Sequence, residues 1–299
     1  MANAGYGQKK PDQALKVDSL MEELRGGKGI VVRDSVLARK GKNRESLEAV
    51  QKLKKYNKDA SEQIQFAAQD LEYRIAKQSD DVTVKKEVVT ILSQDLAGNN
   101  LKAQHARDLL LKFEKQHFSP AAKNEIAIQL KAENAPQPQV IRLAGVAGME
   151  DQKNNFRNII RNNNKADSLP ETGKFYGKTS WASHLALARM GDANSLQYIL
   201  ARVKAEPDEV ILVTLLLEDV AYTRQPQAVE LIKQYLFSND RLPPLHEGAD
   251  GTLHAQYAAG LLAEILEGFP LTTRFGYTLE EIETARQWMR ANTNYTIKK

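Results

Sequence analysis

Apolar residues recur along this chain at intervals of three and four, the spacing that lines one face of an α-helix. From Ser61 the runs are Ile64, Ala67, Ala68, Leu71 and Ile75, then Val84, Val88, Ile91 and Leu92, then Leu101, Leu109, Leu110 and Phe113. Each covers about 12 to 18 residues, which suits a globular helix and exceeds an ordinary strand. Breakers and caps separate them: Ser79-Asp80-Asp81, Gly98-Asn99-Asn100, Ser119-Pro120 and Asn134-Ala135-Pro136. Ser119-Pro120 predicts a helix start, because Ser accepts a bond from a free amide and Pro at the first helical position lacks a donor that would go unused. The one strand candidate, Gly29-Ile30-Val31-Val32-Arg33, is short and has no evident partner. The pattern predicts an all-α protein.

The second half adds a repeat. Trp181 to Met190 reads as an alanine-rich apolar helix, Gly191-Asp192 as a turn, and a following helix carries Leu196, Ile199, Leu200 and Val203. Small alanines let helices approach closely, Gly191 ends the first helix with a left-handed residue, and Asp192 or Asn194 caps the second. Fainter pairs flank it: Val140 to Gly148 with Phe156, Ile159 and Ile160; Val210 to Tyr222 with Ala228 to Phe237; His254 to Leu266 with Leu279 to Met289. The run Leu185-Ala186-Leu187-Ala188-Arg189-Met190-Gly191-Asp192 resembles a HEAT repeat, the paired-helix unit of an armadillo-type α-solenoid. The resemblance implies an α-α superhelix of antiparallel helix pairs, in which each layer covers the apolar side of the next. It divides the chain into a flexible, basic segment 1–43, an N-terminal helical region 44–133 and a HEAT-like region 134–299.

Charge changes the picture only locally. The first 60 residues hold 14 Lys+Arg against 8 Asp+Glu, while the whole chain is +4. Basic residues gather at Arg39, Lys40, Lys42 and Arg44, and again at Lys52, Lys54, Lys55 and Lys58 opposite Leu47, Val50 and Leu53. The second group reads as the solvated side of a helix. Of the aromatic residues only Tyr56 falls among these lysines, so no base-stacking surface is written there.

The chain has no cysteine, which excludes disulfides, thiolate metal sites and a cysteine nucleophile. The longest apolar run, Val210 to Leu217, is broken by Thr214 and closed by Glu218, short of the roughly 18 residues of a membrane span. Ala2-Asn3-Ala4 resembles the small-residue end of a secretory signal, which predicts an exported, periplasmic protein; the alternative is a cytoplasmic one.

Candidate chemistry lies in two insertions. The first, 164–180, contains Phe175 and Tyr176; the second, 238–252, contains Arg241, His246 and Glu247. Long connections in helical proteins are often binding segments, and these five residues are the predicted partner contacts. His246, Glu247, Asp250 and His254 fall within nine residues and carry the imidazole and carboxylate groups of a divalent metal site. Against it, the repeated His-Glu dipeptides of deoxyhypusine hydroxylase, a HEAT-repeat di-iron enzyme, are represented by a single pair. His184 reads as a half-buried, hydrogen-bonded histidine, and Phe269, Phe275 and Tyr277 as a seal on the last helix pair. The sequence contains no nucleophile elbow, phosphate-cradling loop, dinucleotide fingerprint or His-Glu-x-x-His, so no cofactor is expected. The reading is a non-enzymatic scaffold whose concave face holds a protein. One alternative is a nucleic-acid binder resembling the helical-repeat DNA glycosylases, with Arg39, Lys40, Lys42 and Arg44 on phosphates; the other is a metal-dependent enzyme using the 246–254 cluster.

Overall fold

A computed structural model describes residues 17–27, 43–131, 136–167, 175–244, 246, 250–274 and 276–298. Within them the regular structure is helical, and the only β-pairs are two isolated antiparallel bridges. The strand candidate 29–33 lies outside the described residues, as do Ala2-Asn3-Ala4, Arg39, Lys40 and Lys42. No helix among the described residues is long and apolar enough to cross a membrane. The chain divides into two compact units, Met1–Phe113 with His117–Glu125, and Glu114–Gln116 with Ile126–Lys299.

The first unit is built from α1 (Val17–Arg25), α2 (Asn43–Leu53), α3 (Glu62–Gln78), α4 (Val82–Ser93) and α5 (Leu101–Leu110). Its helices follow the apolar period. Ile64, Ala68, Leu71 and Ile75 of α3 are buried, as are Val84, Val88, Ile91 and Leu92 of α4. Helix α3 packs against each of the other four. Asp81 caps α4 by accepting from the Thr83 N–H at 2.8 Å, and Asn100 caps α5 through the Ala103 N–H at 2.8 Å. Leu101 departs from the expected pattern: it is 59% exposed, because the first residue of α5 points away before the helix has turned onto the core. Val50 and Leu53 are buried and Leu47 half-buried, while Lys52, Lys55 and Lys58 are exposed and Lys54 half-buried; of the four lysines only Lys52 lies on α2, the others following its end.

Helix α6 (Pro120–Leu130) begins at the predicted Ser119-Pro120, with Ser119 Oγ accepting from the Ala122 N–H at 3.2 Å. The second unit then contains α7 (Pro138–Ala147), α8 (Lys153–Asp167), α9 (Thr179–Arg189) and α10 (Ala193–Lys204). It continues with α11 (Glu209–Ile211, Leu212–Leu216 and Leu217–Tyr222), α12 (Pro226–Phe237), α13 (His254–Ile265) and α14 (Leu279–Ala291). Gly191, at φ 87°, ends the α9 segment, and Asp192 caps α10 by accepting from the Ser195 N–H at 2.9 Å. Helix α9 packs on α7, α8, α10 and α11, and α11 packs in turn on α12 and α13.

Periodicity did not predict the middle of α11, where Leu212–Leu216 is a π-turn. The wide turn resolves an over-apolar stretch: Leu212, Val213, Leu216 and Leu217 all reach the core, while Thr214 and Leu215 turn outward.

The insertion at 238–252 is closed at its base. Leu242 N–H donates to Thr252 O at 2.9 Å and His254 N–H to Asp240 O at 3.1 Å. Gly251 is required there, since a Cβ would lie 1.9 Å from Leu242 O. Downstream of α14, the residues around Ile297 run back antiparallel to Leu266. Glu267 N–H donates to Thr296 O at 3.0 Å and Lys298 N–H to Ile265 O at 2.9 Å.

Candidate functional site

A polar construction in the second unit joins α7, α9, α11 and α13. It starts from a glycine. Gly145 lets α7 come close to its neighbours, since a Cβ there would stand 2.4 Å from Tyr222 Oη and 2.8 Å from Ala186 Cα. In that space Tyr222 Oη donates to Arg142 O at 2.5 Å, and the Arg142 guanidinium lies over the Tyr222 ring at 4.8 Å.

Asp219 is the hub. It projects from α11 and is 4% exposed. Its Oδ1 meets Arg142 of α7 at 2.8 Å, and its Oδ2 accepts from the Trp181 indole N–H of α9 at 2.7 Å. One carboxylate thus ties three helices together. Burial pushes the Asp219 carboxyl up from its ordinary value, with Arg142 and the Trp181 N–H pulling the other way. Burial likewise drives the Tyr222 phenol up to about 12, so it remains a hydrogen-bond donor.

Beyond Asp219 the same device recurs. Arg189, the last residue of α9, donates to Tyr222 O at the end of α11 and stacks on the Tyr222 ring at 5.0 Å. Arg224, just past α11, donates to Glu264 O near the end of α13 at 3.1 Å and pairs with Glu264 Oε1 at 2.9 Å. Lys298 Nζ donates to Ala263 O at 2.9 Å, and Lys153 Nζ to Met190 O at 3.0 Å. Gln225 adds a neutral bond to Ala188 O at 3.0 Å. Each cation sits where a helix has run out of internal partners for its carbonyls and where the macrodipole favours positive charge. The arrangement has a cost: burial lowers Arg189, Arg224 (to about 10) and Lys298, and Arg189 beside Arg224 lowers it further. Arg142 Nε and Arg224 Nε are buried without a hydrogen-bond partner. The chemistry of this ladder is cohesion, since its carboxylate, rings and cations are engaged with neighbouring helices.

The predicted partner contacts fall in two places. Phe175 is half-buried, edge-on to Trp181 at 4.7 Å and beneath the Arg202 guanidinium at 4.6 Å. Tyr176 belongs to the short Phe175–Gly177 turn. Arg241 is exposed and donates to Gly251 O at 2.6 Å, which braces the closed loop. His246 is exposed, and Glu247 lies outside the described residues.

Of the metal candidates, Asp250 is exposed, whereas His254 is buried with Nε2 3.4 Å from Glu209 Oε1 and its ring 6.0 Å from Tyr235. Among the described residues no group of three or more His, Asp or Glu is placed to hold a metal. His184 stacks on Tyr198 at 4.1 Å with Nδ1 3.3 Å from Ser195 Oγ, the half-buried, bonded state expected of it. Tyr277 is buried with its hydroxyl donating to Thr272 O at 2.8 Å, and Phe269 packs edge-on against Trp288 at 5.3 Å; Phe275 is outside the described residues. Arg44 is exposed and paired with Glu48 at 3.0 Å.

Sequence reasoning missed the ladder. The signal was an acid on an apolar face: Asp219 falls between Leu216, Leu217 and Val220, all of them buried. A carboxylate there needs a partner from another helix. Compared with protein-family models, curated proteins and solved structures, the chain matches none.

Proposed function

We propose that this protein is a non-enzymatic helical-repeat scaffold, HEAT-like in its second unit, whose concave face holds another macromolecule, a protein. The observation that carries the reading is the order of packing. Helices α7, α9, α11 and α13 pack on one another in sequence, α9 on α7, α11 on α9 and α13 on α11. Arg189 makes a cation-to-carbonyl link from α9 to α11, and Arg224 makes the same link from the end of α11 to α13. Such row-wise stacking leaves an extended surface for a partner. The contacts assigned to that partner are Phe175, Tyr176, Arg241, His246 and Glu247.

The test is site-specific photo-crosslinking in the native source, with the reactive residue placed in turn at Arg241, at His246 and, as a control, at exposed Glu62. A discrete polypeptide adduct at the loop positions and none at Glu62 is the expected result. Adducts with nucleic acid, or the same pattern at all three positions, would overturn the reading.

A further inference from the structure

The first unit holds a buried polar cluster of a different kind. Asn57, Gln69 and Glu72 are 3%, 0% and 0% exposed. Asn57 Nδ2 donates to both carboxyl oxygens of Glu72, at 3.0 and 3.1 Å. Lys102 of α5 donates to Asn57 O and pairs with Asp95 at 2.6 Å, while Gln69 Nε2 donates to the other Asp95 oxygen at 2.9 Å. Acceptors outnumber donors: Asn57 Oδ1 and Gln69 Oε1 are both buried without a partner. A neutral carboxylic acid supplies the kind of group this cluster lacks, one more O–H donor.

The turn that Asn57 belongs to also carries α1. Tyr56 Oη donates to Asp18 at 2.8 Å, Lys55 pairs with Asp18 at 2.7 Å, and Asp59 pairs with Arg25. Helix α1 otherwise buries only Val17 and Met21.

We propose that Asn57, Glu72, Asp95 and Lys102 form a proton-operated latch. With Glu72 protonated the 54–59 turn is locked onto α3 and α5 and holds α1 in place; loss of that proton releases the turn and α1 with it. Ionising Glu72 places a second carboxylate charge near Asp95 at a fully buried position, with the Lys102 ammonium already committed to Asp95 and Asn57 O. The groups around it are Asn57 and Lys54 from the turn, Asp95 from the residues after α4, and Lys102 from α5. Helix α1, also packed on α3, directs Asp18 to Lys55 and Tyr56, and Arg25 to Glu22 and Asp59. Burial, first, and Asp95, in the same sense, push the Glu72 carboxyl up to about 8 against the pull of Asn57, Lys102 and Lys54.

The sign follows from linkage. The closed state holds a proton that the open state gives up at an ordinary carboxyl value. The latch is therefore tightest below that value, weakens as pH rises, and reaches its floor once pH passes about 8. Between these limits the opening constant rises about tenfold per pH unit.

Hydrogen exchange of the Lys58 and Asp59 amides, which close the turn onto Lys55 O and Tyr56 O, reads the opening in the full chain. After removal of the intrinsic base-catalysed rate, opening is expected to increase about a hundredfold from pH 5.5 to 7.5 in the parent protein and to stay level in Glu72→Gln. Isotope-edited infrared titration of the protonated Glu72 carbonyl in the parent chain provides a reading that does not depend on the variant folding. Opening that is flat with pH in the parent, an identical profile in a folded Glu72→Gln, or a Glu72 carboxyl titrating at its ordinary value would each overturn the latch.

Discussion

Two buried polar clusters, one in each unit, accommodate charge in different ways, around Glu72 in the first and around Arg142, Arg189 and Arg224 in the second. In the first, the Glu72 carboxyl lies in the core, pushed up to about 8 by burial against the pull of the Asn57 amide that donates to both its oxygens. In the second, arginines enter the layer and cannot shed a proton near neutral pH, even with Arg224 drawn down to about 10. They are instead given carbonyls at helix ends, the Tyr222 ring and the carboxylates of Asp219 and Glu264. A titratable group makes a junction that depends on pH. A permanently charged one makes a junction that depends on geometry.

That contrast breaks most readily at Asp219. Asp219→Ala strands the Arg142 guanidinium and the Trp181 N–H, and its expected cost is about 3 to 5 kcal/mol in urea unfolding. Replacing Asp219 and Arg142 together by Leu and Met is expected to recover the part of that loss due to the stranded guanidinium, leaving the cost of the unpaired Trp181 N–H. A loss well under 1 kcal/mol for the single variant would mean that the ladder does not hold the helices.

Gly145→Ala comes next. The added methyl meets Tyr222 Oη and Ala186, so α7 must shift at a cost of about 1 to 3 kcal/mol. Combining it with Tyr222→Phe removes the nearest atom, and the double variant is expected to fall short of the sum of the two single effects.

A smaller effect sharpens the comparison through its sign. Asp192 caps α10 and pairs with Arg157 at 2.9 Å. Burial works to raise its carboxyl, but the Ser195 N–H and Arg157 outweigh it and hold it below the ordinary value. Its contribution is present above the unfolded-state value and lost as pH falls through the native one, the reverse of the Glu72 slope. Asp192→Ala is expected to cost about 1 to 2 kcal/mol at neutral pH and to flatten the acid limb of the stability curve, measured by denaturation from pH 2 to 6. At the bottom of the scale, Arg44→Ala removes a solvated pair with Glu48 and is expected to leave the unfolding midpoint unchanged.

Much of the helix pattern was legible in the order of residues. Spacings of three and four placed α3, α4 and the pair around Gly191, because a helix buries one stripe of itself wherever it packs. Ser119, Asp192 and Gly191 marked helix ends because capping is chemistry within a few residues of chain. The candidate site was not legible in this way. Arg142 and Asp219 are 77 positions apart and Asn57 and Glu72 are 15, and each partner alone is an ordinary polar residue in a helical run. The π-turn at Leu212–Leu216 was also hidden, because the same apolar run fits an α-helix until its neighbours demand that four of its residues face inward. Local order determined where α3, α4 and the helices around Gly191 form, stop and turn their apolar sides, but not α1, which lies within the segment read as flexible. Only the tertiary structure decided which buried charges meet, since burial and distance together set whether a carboxyl keeps its proton or an arginine finds a carbonyl.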